Sequence, residues 1–155
     1  MVGVVSRVIP ASSAEVFDLL HDYDRRLQWD TLLSAAYLEE GFTQAGLGAT
    51  SVCIGRRGLR AFALRTIYVS YERPKVAAVK LVNAPPLFAR WAASIRHVDL
   101  EPGRSRCTYK FSFRAKPAVL RGLIEPVLLR IFTRETARRL EALEGWFNRT
   151  AALPQ

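Results

Sequence analysis

From about Pro117 to Thr150 the chain carries one long amphipathic helical pattern, and almost everything before it reads as strands. Leu129, Phe132, Thr136, Leu140, Leu143 and Phe147 form a stripe at three- and four-residue spacing, while Arg130, Arg134, Arg138, Glu141 and Glu144 fall largely off it. Such a helix must cover something broad and apolar, and a sheet built from the preceding strands is the one candidate. Laid across a curved antiparallel sheet, it can fill the groove or leave a hollow beneath itself. Pro117 suits a helix start. Pro126 predicts a kink or break, because it removes a backbone donor and crowds the preceding turn.

The N-terminal end adds a second fixed point. Val2 to Pro10 fits a first strand, and Ser12 stands three residues before Glu15, the spacing of a capping box. Val16, Phe17 and Leu20 follow at helical spacing, so a short helix runs to about Asp22. Tyr23 to Asp30, with Leu27 and Trp29, continues as a second short helix or an irregular turn. From Ser34 onward the period changes. Segments near 34–40, 49–57, 60–72, 75–83, 87–100 and 104–115 are compatible with strands, separated by turn material such as Gly41 to Gly48, Gly58, Arg73-Pro74, Ala84-Pro85-Pro86 and Glu101-Pro102-Gly103. The last is the clearest: Cys107, Tyr109, Phe111 and Phe113 alternate with Thr108, Lys110, Ser112 and Arg114. Short connections favour antiparallel pairing. The expectation is one α+β domain over 1–150, with a curved antiparallel sheet of about seven strands, and a frayed tail over 151–155.

At 155 residues the chain can build a core without disulfides or metals. Cys53 and Cys107 lack metal-like spacing and sit in apolar segments, which reads as buried free thiols in a reducing compartment. No run has the length of a transmembrane helix and the first residues lack the pattern of a secretory signal, so the expected location is cytoplasmic. The net charge of +9, with 23 basic residues against 14 acidic ones, favours anionic partners. The arginines are scattered in small groups, however, including Arg56-Arg57-Arg60 and Arg138-Arg139. No nucleic-acid-binding motif accompanies them. Weak contact with an anionic membrane surface is therefore the better functional reading of the charge, and nucleic acid is not an expected partner.

Conventional catalytic equipment is sparse. Of the two histidines, His21 reads as a helix-end cation. His97 shares a strand face with Trp91 if the alternation Trp91, Ala93, Ile95, His97 is unbroken, which makes it the one catalytic candidate, as a general acid or base. No zinc-ligand set, nucleophile elbow or phosphate loop is present, and no metal or cofactor is expected. Arg65 and Tyr68 fall on opposite faces of their strand, so at most one points inward without a bulge. A buried arginine would need an acidic partner or an acidic ligand group.

The stretch VIPASSAEVFDLLHDYDRRLQWD resembles the opening of the START-like (SRPBCC) superfamily, through Ala11 to Ser13, Val16-Phe17, Leu20, Asp22 and Trp29-Asp30. Gly46-Leu47-Gly48, Glu72-Arg73-Pro74 and Tyr109-Lys110-Phe111-Ser112-Phe113 extend the resemblance over most of the chain. It implies the helix-grip fold, with a cavity between sheet and C-terminal helix that admits a hydrophobic small molecule. The expected lining is Tyr68, Trp91, Ile95, Tyr109, Phe111, Phe113, Leu129, Phe132 and Thr136, with Trp29 packing the short helices against the sheet or flanking the entrance. The leading function is binding or transport of a lipid, isoprenoid or polyketide-like aromatic. The alternatives are a polyketide cyclase, aromatase or dehydratase using the same cavity, and a protein- or ribosome-interaction module of the superfamily's toxin-like branch.

Overall fold

The structure is a computed structural model that describes residues 1–56 and 63–152. Seven strands form one antiparallel sheet: β1 (Val2–Ile9), β2 (Leu33–Leu38), β3 (Thr50–Gly55), β4 (Leu64–Glu72), β5 (Val76–Leu81), β6 (Phe88–Glu101) and β7 (Arg104–Ala115), in the order β1-β7-β6-β5-β4-β3-β2. The connection between β1 and β2 holds α1 (Ser13–His21) and α2 (Arg26–Trp29). A 3-10 turn at Ala118–Leu120 leads into α3 (Arg121–Ala151), which packs on β1 and β7. The seven-stranded curved sheet and long C-terminal helix make this the α+β helix-grip fold.

Local chemistry explains the frame. Ser12 and Glu15 close the expected capping box, with the Glu15 amide donating to Ser12 Oγ and the Ser12 amide to the Glu15 carboxylate. The next residue fixes the helix to the sheet: Ser13 donates from its amide and hydroxyl to the Asp99 carboxylate of β6, at 2.7 and 2.9 Å. β7 keeps strict alternation, burying Cys107, Tyr109, Phe111 and Phe113 on one face. Opposite Phe111 in the ladder stands Gly3, where a Cβ would come within 2.2 Å of the ring. The ring occupies the space that a side chain on β1 would need.

Two expectations need correction. α3 runs unbroken through Pro126. The carbonyl that loses its bond belongs to Gly122, on an exposed turn near the helix start, where water can take the donor's place. Regular helix also begins at Arg121 rather than Pro117, after the tighter turn. The expected strand starting near 60 is described from Leu64. The Arg57 and Gly58 turn and Arg60 lie outside the described residues, as do the last three residues of the expected frayed tail. Both cysteines are free, Cys107 buried and Cys53 partly so. No helix among the described residues is long and apolar enough to cross a membrane.

Candidate functional site

Between the concave face of the sheet and α3 lies a cavity of about 130 Å³. Its apolar wall comes from inward positions of β4 to β7, including Val79, Trp91, Ile95 and Phe111, and from Phe132 on α3. Small residues keep the middle open: Ala77 on β5 and Ala93 on β6 are 2% and 6% exposed, and both line the hollow. A leucine or phenylalanine at either position would fill it. The space therefore follows from particular residue sizes.

Tyr68, Trp91, Ile95, Tyr109, Phe111, Phe132 and Thr136 are all on the lining. Phe113 and Leu129 are not. Phe113 shares the face of Phe111 but sits one step further along β7, edge-on to Phe88 at 5.8 Å, inside the solid core. Leu129 packs against the same core. Strand alternation and helix spacing assign a face, but not a position along it.

Trp29 does not flank an entrance. It is 1% exposed within the core, with the Arg26 guanidinium over its indole at 4.9 Å. Among the described lining residues Ile131 on α3 is the exposed one, at 36%.

Neither histidine stands where it was expected. His97 does lie on the Trp91 face of β6, but it packs edge-on to Phe17 at 5.5 Å and is not on the cavity lining. Neither of its ring nitrogens has a hydrogen-bond partner, and burial lowers its pKa to about 4. His21 is no exposed helix-end cation. The last turn of α1 directs it inward, where Nδ1 lies 2.9 Å from the Tyr68 hydroxyl, itself 3.1 Å from the Tyr23 hydroxyl. Burial, with Arg26 and His97 nearby, lowers the His21 pKa to about 3, so the ring is neutral at pH 7. Its Nε2 is unpartnered, as is Nε1 of Trp91, and both residues face the cavity. Burial raises the pKa of the Tyr23, Tyr68 and Tyr109 hydroxyls, which keep their protons.

The polar end of the cavity is built on residues that sequence reasoning missed. Arg26 of α2 is 6% exposed, and its Nε donates to Asp30 Oδ2 at 3.0 Å. Arg139 of α3 reaches the same oxygen, with its Nε 2.9 Å away. Both arginines line the cavity, and fully buried Asp30 stands behind them. Burial alone would raise the Asp30 pKa, but Arg139 and Arg26 together hold it below the ordinary carboxylate value. Burial likewise opposes the charge on Arg26 and is the largest single effect, and Asp30 together with Cys53, Tyr23 and Tyr68 outweighs it. The available signal was the four-residue spacing of Arg26 and Asp30 beside Trp29. Arg65 points outward to Glu39 at 2.8 Å while Tyr68 lines the cavity, the opposite faces that strand alternation gives them. Among the described residues no group of three or more His, Cys, Asp or Glu side chains is placed to hold a metal ion.

A helix-grip domain with an internal, largely apolar hollow defines a class of proteins that enclose small molecules. The family is specific: residues 2–145 match the model for polyketide cyclase / dehydrase and lipid transport proteins, and the chain belongs to that family. Its fold is similar to that of a START superfamily protein from Mycobacterium smegmatis, at TM-score 0.76 and 13% identity, covering 96% of this chain and 98% of the other. It is similar too to the protein TTHA0849 from Thermus thermophilus, at TM-score 0.77 and 12% identity, covering 98% and 100%. The Zhui aromatase/cyclase from Streptomyces sp. R1128 aligns at TM-score 0.75 and 14% identity, covering 97% and 95%. No curated protein matches the sequence. At these identities the likeness shows the fold.

Proposed function

We propose that the protein binds or carries a hydrophobic small molecule, of the lipid, isoprenoid or polyketide-like aromatic kind, in the hollow between sheet and α3. The observation that carries this reading is the apolar cavity kept open by Ala77 and Ala93 in an otherwise well-filled core. Packed interiors leave few voids larger than a water molecule. A ligand entering there leaves water for an apolar wall, which favours binding by about 25 cal/mol per Å² of apolar surface buried. Polar groups at the Tyr68 and Arg139 end would set its orientation. Proton transfer is less well supported. A neutral His21 with a pKa near 3 is a weak base at pH 7, and His97 stands outside the lining.

Native mass spectrometry of the protein purified from cells tests the reading, combined with organic extraction. The expected result is a reproducible added mass that leaves on unfolding and is recovered as an apolar compound. A bare polypeptide mass that takes up nothing from a library of lipids and aromatics contradicts it.

A further inference from the structure

We infer that the ligand is an amphipathic organic acid, whose anionic oxygen group sits at the Arg26–Arg139 end of the cavity and whose apolar body lies along Trp91, Ile95 and Phe111. This rests on the cavity being the binding site and specifies what occupies it.

Charges and donors do not balance at this end of the cavity. Two guanidiniums line the cavity wall here, and one carboxylate, Asp30, serves both. Glu135 also lines the cavity, but it is paired to Arg138 at 3.0 Å, so that pair is neutral. One positive charge is left over. Isolated cations are costly to bury, and a second carboxylate would complete the set. Among the described lining residues no carboxylate outside these pairs supplies it.

Donor capacity is also unspent. Arg139 stands against Asp30 as an ion pair at 2.9 Å, yet its buried Nε makes no hydrogen bond among the described residues. Trp91 lines the cavity at 7% exposure, and its buried indole N–H has no partner among the described residues. Arginine forks match the two oxygens of a carboxylate, and such charge-assisted bonds are about twice as strong as neutral ones. A purely hydrocarbon ligand would fill the apolar part and leave these groups unmet. A ligand with an anionic head meets them.

The test compares dodecanoate with dodecan-1-ol, which share a chain and differ in the charge of the head group. Each is used to displace the neutral fluorescent probe N-phenyl-1-naphthylamine from the intact protein at pH 8 and low salt. Dodecanoate is expected to displace it at a concentration at least about tenfold lower, or about 1.4 kcal/mol tighter. Arg139→Met should abolish that advantage by weakening dodecanoate relative to dodecan-1-ol, and Arg139→Lys should retain most of it. Equal potency of acid and alcohol on the natural protein overturns the inference and needs no variant. So does an acid preference that survives Arg139→Met unaltered. If the probe binds but only the alcohol displaces it, the acid head is wrong and the cavity reading stands. If the probe does not bind, and neither compound is taken up directly, both fail.

Discussion

Replacing Asp30 with asparagine is expected to cost about 3–5 kcal/mol of folding stability, the penalty for stranding buried charge. Asp30 is fully buried and is the carboxylate on which Arg26 and Arg139 converge, so its loss leaves two guanidiniums facing each other in the interior. In a domain whose whole stability is of order 5–15 kcal/mol, that is a large share. The midpoint of thermal unfolding should fall by roughly 6–20 °C at this chain length. Arg139→Met removes the other half of one contact, yet should cost clearly less, because the Arg26–Asp30 pair stays neutral. A urea series on the three proteins checks the order. An Asp30→Asn variant as stable as the natural protein would mean that the triad does not hold α2 against α3.

Acid should destabilise the protein well above the pH at which carboxylates titrate. His21 and His97 have folded-state pKa values of about 3 and about 4, against an ordinary 6.5. In both cases burial is the first cause. Between pH 6.5 and those values the unfolded chain binds protons that the native state refuses, so stability falls as pH falls. At pH 4.5 the loss is about 2–3 kcal/mol for each histidine. The groups facing them do not reverse the sign. Arg26 opposes protonation of His21, Asp18 is engaged by Arg73, and Asp99 favours the His97 cation only as the lesser effect. The lowered carboxylates, Asp30 and Asp99 among them, act in a separate window. Their contribution is present above the ordinary Asp value and is lost only as pH falls through their own lower values. Urea midpoints at about pH 7.5, 5.5 and 4.5 should therefore decline steadily, with His97→Leu flattening the slope. Equal stability at the two ends of that range would refute the buried, neutral state of both rings.

The sequence carried the frame because short-range rules set it. The Ser12–Glu15 box, the alternation from Cys107 to Phe113 and the Glu101-Pro102-Gly103 turn each act over a few residues, and each is where the spacing puts it. The cavity was half visible for the same reason. Alternation places Trp91, Ile95, Tyr109 and Phe111 on the inner face, but it cannot separate Phe111, which meets the hollow, from Phe113, which meets Phe88. Nor does it show that the void depends on two alanines.

The polar end was hidden by sequence distance. Arg139 lies 109 positions after Asp30, and no local pattern couples them. The physical rule was sound: a buried arginine needs a carboxylate. It had no residue to attach to, because the inner face of a four-residue helix such as α2 is harder to read than that of a strand. His21 fell to the same difficulty, since a histidine at a helix end can equally meet solvent or Tyr68.

If ligand occupies the hollow beneath α3, Ala93→Phe should block it. The larger side chain adds roughly the volume of a phenyl ring inside the cavity, at a position 6% exposed and remote from the Arg26–Asp30 pair in sequence. Titration with N-phenyl-1-naphthylamine should give saturable fluorescence enhancement with the natural protein. The variant should bind at least about tenfold more weakly, about 1.4 kcal/mol, with an unchanged far-UV circular dichroism spectrum. Equal binding by a folded Ala93→Phe protein would place the ligand elsewhere and contradict the account.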